Sequence, residues 1–252
     1  MDKWSLYDRM IQGIPASMIL DELFVGEHWT LVRSGENWGV SMTVHQSAGP
    51  EEPLRPILGR PLREAAALSK SWDFKEASIG MAALNAFYNA PERAKQLGCF
   101  PPEGGPNKKA DAFELYRSAA EGKKVTVVGH FPHIERQLKP YCQLSILERD
   151  PQPGDLPDSA CEYILPEQDF VFITGVTLTN KTLPRLLELI RPEATVCMVG
   201  PSVPLSEALF DYGANHLAGF CVTDGALVSA CIARGGRMEL FDGGTRVSWT
   251  RE

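Results

Sequence analysis

The period of the apolar positions changes near residue 124, and the change divides the chain into two kinds of structure. In residues 3–24, Trp4, Tyr7, Met10, Ile11 and Ile14 recur at helical spacing, followed by Met18, Ile19 and Leu23, a pattern that predicts a helical start. The runs HWTLVRS and WGVSMTVH alternate and are joined by Gly35, Glu36 and Asn37, which predicts a β-hairpin. Residues 46–59 are rich in Pro, Gly and Glu and read as a loop. Two helices are expected next. One starts from Pro61, where proline suits a first helical turn, and the other runs through FKEASIGMAALNAFYN. The first hundred residues therefore predict an α+β unit.

Beyond residue 124 the apolar runs are short and continuous: KVTVVG, QLSILE, DFVFITG, TVCMVG and HLAGFCVT. Such runs suit strands covered on both faces, and TLPRLLELIR and LSEALFDYG supply crossover helices between them. This is the βαβ rhythm of a doubly wound parallel sheet. The expected fold class is α/β, a parallel sheet flanked by helices with a smaller α+β domain ahead of it. The stretch GCFPPEGGPNKKA (98–110) reads as the linker, which divides the chain into residues 1–105 and 106–252. A helix over 111–121 fits either side. The tail MELFDGGTRVSWTRE is expected to add an antiparallel edge hairpin around Gly243 and Gly244.

Composition narrows the partners. Of the 252 residues 44% are hydrophobic, enough for a sizeable core. The net charge is -7, the pI is near 5.4, and no basic run stands out. Nucleic acid and anionic membranes both need clustered Lys and Arg, so neither is the expected partner. A small anionic molecule needs only a local positive field. The start, MDKWSLYDRMIQGIP, lacks the pattern of a signal peptide, and no apolar run is long enough to span a bilayer. Cys99, Cys142, Cys161, Cys197, Cys221 and Cys231 form no C-x-x-C pair. They read as small buried hydrophobes in a reducing compartment, so a cytoplasmic location is expected. A homodimer is the default expectation for the assembly.

In an open parallel sheet, ligands bind beyond the carboxyl ends of the strands, near the point where strand order reverses. After the first strand comes Gly129-His130-Phe131-Pro132-His133. His130 and His133 have a spacing that presents two imidazoles to one metal if a helix begins by Phe131; otherwise they are capping or surface groups. Glu148 ends the second strand, where a dinucleotide fold places the carboxylate that grips a ribose, or where a solvated strand end lies. TGVTLTNKTL follows the third strand. Thr179 or Asn180 suits a helix cap near Leu183, yet Thr174, Thr177, Thr179 and Asn180 are more polar groups than a cap needs, and a helix start attracts anions. Gly200 and Ser202 sit in a turn stiffened by Pro201 and Pro204. G-x-S-x-G, a phosphate-loop lysine motif and H-E-x-x-H are all absent from the sequence. Without the second and third glycines of a dinucleotide turn, NAD is disfavoured.

Taken together, VGHFP, the acidic strand end of LSILERDPQPGDLPD, TGVTLTNKT and GPSVPLSEAL resemble the blocks of a bacterial and archaeal family, domain of unknown function 364, described as "putative heavy-metal chelation". SIGMAALNAFYN is similar to the helix of the small domain that accompanies it. The resemblance implies a Rossmann-like C-terminal domain joined to an enolase N-terminal-like domain, with a site in the cleft between them. Where family members often read N-G-T, this chain has Asn180, Lys181 and Thr182, and the added positive charge favours an anionic ligand. The leading expectation is a protein that binds a metal ion or a metal-bearing or anionic small molecule. Asn85, Gly129, His130, Phe131, Glu148, Thr174, Thr177, Thr179, Asn180, Gly200 and Ser202 are its expected lining, and His130 and Glu148 its metal ligands. Hard oxygen donors dominate that set, which suits oxyanions and hard cations better than soft metals. The alternative is an enzyme acting on a nucleotide- or pterin-like molecule, with His130 as acid or base.

Overall fold

The computed structural model describes residues 4–46, 56–101 and 111–251. Helix α1 (Ser5–Gly13) buries Leu6, Tyr7 and Met10, the stripe that the spacing predicts, but it does not continue toward residue 24. Ile14 precedes a proline and is extended (φ -70°, ψ 131°), as the residue before a proline prefers. Leu23 then falls in an unforeseen strand, β1 (Glu22–Val25), which pairs antiparallel with β2 (Trp29–Ser34). β2 and β3 (Asn37–Met42) form the expected hairpin, with Ser34 opposite Asn37 across Gly35 and Glu36.

The hairpin is a middle layer. Val32 belongs to the main core, whereas Trp29, Leu31 and Val40 pack with Phe220, Val222, Val228 and Ile232 from the second half of the chain. Helix α2 (Leu62–Ala67) follows Pro61. Helix α3 (Phe74–Tyr88) starts at Asp73, whose carboxylate accepts from the N–H groups of Lys75 and Glu76, a side-chain N-cap. Every residue of α3 from Ala77 to Ala86 is buried. It lies directly on the hairpin: a β-carbon added at Gly39 would stand 2.0 Å from the backbone nitrogen of Ala86. Helix α4 (Pro91–Gln96) completes this part, and α5 (Ala112–Tyr116) packs on the sheet of the second half. The expected boundary between residues 105 and 106 lies outside the described residues.

The second half carries all five predicted strands: β4 (Lys124–Val128), β5 (Gln143–Glu148), β7 (Phe170–Thr174), β8 (Thr195–Val199) and β9 (His216–Val222). A two-residue strand, β6 (Leu156–Pro157), was not foreseen. The intervening helices are α6 (Ile134–Leu138), α7 (Cys161–Ile164), α8 (Val176–Thr179), α9 (Leu183–Leu189), α10 (Glu207–Asp211) and α11 (Gly225–Ala233). The sheet has seven strands in the order β10-β9-β8-β7-β4-β5-β6, parallel except for β10 (Gly244–Thr250). β10 is the expected antiparallel edge strand, but its partner is β9. No hairpin turns at Gly243 and Gly244, because residues 239–243 wind into a short 3-10 turn. Val125, Val127, Phe170 and Phe172 pack toward α5 and α6, whereas Val171, Ile173, Val196 and Met198 join the main core. Both faces are covered, as the continuous apolar runs require.

Two asparagines, Asn85 in α3 and Asn89 at its C-cap, fasten the halves together. Asn85 Nδ2 donates to the carbonyl of Val40 (2.8 Å) and to that of Pro201 (3.1 Å). Asn89 Nδ2 donates to the carbonyls of Val203 (2.9 Å) and Phe220 (3.2 Å), and its Oδ1 accepts from the N–H of Leu205 (2.8 Å). Both side chains are fully buried, where an unpaired backbone group costs about 1–3 kcal/mol. Asn89→Ala strands three such groups at once. We expect it to lower the unfolding free energy by about 3 kcal/mol or more, read from urea denaturation with an unchanged m-value.

His216 gives the fold an acid limit. It is fully buried in β9 and bonds to Thr250 Oγ1 (2.7 Å) and Ser248 Oγ (3.1 Å). Burial pushes its imidazole down from 6.5 to about 4. The unfolded chain therefore takes up this proton first as pH falls. Stability is intact above the ordinary value of 6.5 and declines from there to about 4, by about 3 kcal/mol in all. In His216→Gln that share of the acid slope should vanish when melting is followed across this pH range.

Candidate functional site

The chain runs from β4 outward to β5 and β6, then returns to β7 on the other side of β4. The strand order thus reverses between β4 and β7. Helix α6 covers one face and α8 and α9 the other, which leaves a crevice at the carboxyl ends of these two strands. A cavity of about 1310 Å³ opens there. Its lining extends from Glu148 of β5, past Gly129, Thr174 and Gly200, to Phe220 of β9. At strand spacing that edge is about 19 Å long. The far wall comes from the N-terminal hairpin: Trp29, Met42, Thr43, Val44 and His45.

The turn after β4 is built around Gly129 and Glu148. Gly129 has φ 104°, and a β-carbon there would meet Thr174 Cγ2 at 3.0 Å, so glycine is needed for the strand to turn away. Glu148 Oε2 accepts from the N–H of His130 (2.7 Å), while Oε1 accepts from those of Arg149 (2.7 Å) and Asp150 (3.3 Å). The acidic strand end thus holds the GHFP turn in place. His130 Nδ1 lies 2.9 Å from Asp155 Oδ2. That carboxylate is 2% exposed and also accepts from the N–H of Gln152. A carboxylate oxygen accepts, so the pairing puts a proton on Nδ1 and turns Nε2 away from Asp155. Asp155 was not among the expected residues; in PQPGDLPD it carries no pattern that marks it. His133 does not join His130 on a helix face. It takes a left-handed conformation (φ 64°) just before α6, which begins at Ile134 and not by Phe131. Phe131 packs edge-on against Phe113, with ring centroids 5.3 Å apart.

The hydroxyl-rich segments are placed less uniformly. Thr174, Thr177 and Asn180 line the cavity, but Thr177 Oγ1 donates to the carbonyl of Thr174, and Asn180 Oδ1 accepts from Thr182 Oγ1 and N. Thr179 is fully buried and is not among the lining residues; its hydroxyl has no partner among the described residues. Ser202 lines the cavity but is 3% exposed, and its Oγ accepts from the N–H of Met42 at 2.9 Å. Asn85 is likewise absent from the lining, because its amide serves the interface described above. Five cations border the cavity. Arg149 pairs with Asp158, and Arg185 with Glu162 and Glu188. Arg237, Arg246 and Lys181 have no ion pair among the described residues, and Arg246 lies over Phe241. Lys181 is the added positive charge expected from the sequence; periodicity does not flag Arg237 and Arg246, which come from a turn and an edge strand.

Residues 111–250 match the family model described as "DUF364: Putative heavy-metal chelation", more than half of the chain. The chain belongs to the DUF364 family. Residues 7–88 match a second model, DUF4213, with the same description. A DUF364 protein of unknown function from Desulfitobacterium hafniense DCB-2 is similar to this chain at 41% identity and a TM-score of 0.90, covering 99% of each chain. A DUF364 protein of unknown function from Pyrococcus horikoshii shares the fold, at 20% identity and a TM-score of 0.80 over the full length of both. An uncharacterised protein of Methanocaldococcus jannaschii is 29% identical over 199 residues, 74% of this chain and 70% of its own length.

The donors of this DUF364 chain do not fit a chelated soft ion. Among the described residues no three His, Cys, Asp or Glu side chains converge on one point. All six thiols are free, and Cys161 alone of them lines the cavity. Burial pushes Cys99 up to about 11 and Cys221 up to about 12, and it raises Cys161 as well. Thiols so held resist becoming thiolates, the form that binds metal. What the DUF364 site does offer is one imidazole with an open nitrogen, fixed by a buried carboxylate. Replacing that carboxylate, Asp155→Ala, is expected to release the tautomer. Ring nitrogen NMR should place the His130 proton on Nδ1 in the wild type and lose that preference in the variant.

Proposed function

We propose that this protein is a cytoplasmic small-molecule binder whose ligand is anionic and partly planar, or a metal complex of such a molecule. It lies along the carboxyl edge of the sheet, between that edge and the N-terminal hairpin. His130 Nε2 meets the metal or the reacting atom. The observation that carries this reading is the pairing of His130 with Asp155 at the edge of a cavity larger than the roughly 300–1,000 Å³ of ordinary ligand pockets. A bare ion needs several convergent donors and leaves most of that volume to water. A molecule of several hundred daltons fills it, takes charge complementarity from Arg237, Arg246 and Lys181, and packs against Phe131 at the mouth of the turn. A metal, where one is involved, arrives on the ligand, and His130 adds one protein bond to it, oriented by its carboxylate partner as metal-bound histidines usually are.

The same His–Asp pair supports a second reading, an enzyme in which His130 takes or gives a proton. A neutral imidazole with Nε2 open and Nδ1 held by a carboxylate is the general-base arrangement. Glu148 and Asp155 act there as positioning residues, one through the backbone of the turn and the other through the ring.

Native mass spectrometry of protein purified without chelators tests the proposal, with the denatured mass as reference. The expected excess is an organic molecule on the order of hundreds of daltons, with or without a metal. An excess equal to a bare metal ion, with no organic mass, sinks it. His130→Ala should keep the organic ligand and weaken retention of its metal at least tenfold. If the variant instead holds the ligand unchanged and loses its conversion to product, the enzyme reading replaces the binder.

A further inference from the structure

Lys181 is held in a way that neither the fold nor the binding role explains. Its backbone is left-handed at φ 64°, a region that disfavours any residue with a β-carbon. The side chain runs between aromatic rings: Nζ lies 5.0 Å from the centroid of Phe74 and 6.0 Å from that of Trp72. It donates a hydrogen bond to the carbonyl of Thr179 at 2.6 Å. No carboxylate oxygen among the described residues comes within ion-pairing distance. Lys70 makes the contrast: its ammonium also sits over an aromatic ring, Trp4 at 5.5 Å, but it pairs with Asp8 at 2.7 Å and lies outside the cavity. Lys181 belongs to the cavity lining, which does not include the Trp72, Phe74 and Thr179 around its Nζ, and it has no such partner among the described residues.

We propose that Lys181 is an imine-forming amine, which condenses with an aldehyde or ketone group on the molecule in the cavity. The Nζ lone pair attacks the carbonyl carbon; the C–N bond forms as the carbonyl π bond opens. The carbonyl oxygen then leaves as water with both amine hydrogens, and a C=N bond remains. No oxidant or reductant takes part. The step needs an uncharged amine, and the surroundings favour one. Burial pushes the Lys181 ammonium down to about 8, opposed by the charge of Asp73. The Asp73 carboxylate is itself engaged with the N–H groups of Lys75 and Glu76. At neutral pH the uncharged fraction of Lys181 thus exceeds that of an ordinary lysine by roughly two orders of magnitude.

The proposal rests on the cavity being a small-molecule site, but its test does not require the natural ligand. The full-length protein is incubated with glyoxylate and sodium cyanoborohydride at neutral pH, then digested and mapped by mass spectrometry, and the experiment is repeated with pyridoxal as a bulkier aldehyde. We expect at least one probe to modify Lys181 tenfold or more faster than Lys139, whose side chain is 72% exposed. Lys181→Arg keeps the charge and should remove the fast adduct. Lys181→Gly relieves the left-handed backbone and should fold at least as stably while also losing the adduct. If Lys181 reacts no faster than Lys139 with both probes, or if the fast adduct persists in Lys181→Arg, the proposal is overturned. A co-purified organic ligand together with an unreactive Lys181 overturns the imine and leaves the binding reading standing. A reactive Lys181 in a protein that retains no organic ligand does the reverse.

Discussion

The 201–205 turn is the constraint on which the rest of the structure depends. It leaves β8 at the carboxyl edge, passes into the interior and exposes carbonyls and an N–H that neither the sheet nor a helix can pair. A buried backbone group without a partner is too costly to leave, so the partners must come from elsewhere. They come from Asn85 of α3 and from Asn89 at its C-cap, with Ser202 accepting a bond from the hairpin. Helix α3 is thereby fixed against the large sheet, and the hairpin lying on α3 is carried with it. The cavity is a consequence of that fixing, because its outer wall is the end of the hairpin and its inner wall is the strand edge. The two halves, each matched by its own family model, share one core in which Leu6, Met10 and Ala82 pack with Leu178, Val203 and Leu205.

The sequence is legible where a residue's role is decided by its neighbours in the chain. The five strands of the parallel sheet, the hairpin and α3 follow from apolar period, and the crevice follows from the rule that ligands sit beyond the carboxyl ends. Gly129 and Glu148 are where that rule puts them. The failures share a cause. α1 ends early because one proline outweighs a continuing apolar stripe, and β1 is too short to show a period. Asn85, Thr179 and Ser202 are polar residues in suggestive places, yet two lie outside the cavity lining and the third spends its hydroxyl on the hairpin. A polar residue in a buried segment reads the same whether it serves a ligand or a stranded carbonyl. Asp155 was missed for the complementary reason: its contact with His130 spans 25 positions of sequence and a loop without pattern.

The description attached to the family and the donors present in this chain pull in different directions, and chemistry says how they meet. Soft metals are held by thiolates, and here the thiols are dispersed and kept protonated by burial. One imidazole with a carboxylate behind it completes a coordination shell; it does not supply one. If chelation is the purpose, most of the donor atoms belong to the molecule in the cavity. The protein's share would then be shape, charge and a single directed bond, and the cavity with its three cations that lack ion pairs among the described residues suits such a share.

Left-handed backbone shows where this chain departs from what packing alone would select. Among the described residues, every positive-φ position is a glycine except His133 and Lys181, and both of these line the cavity. The fold has no general difficulty in placing glycine where it is needed. A side chain kept at such a position is kept against a conformational cost, and that cost is tolerated where the side chain has something to reach. For Lys181 the aromatic walls of Phe74 and Trp72 add a second cost, the dehydration of an ammonium group. Both penalties fall on one residue, and glycine would relieve both.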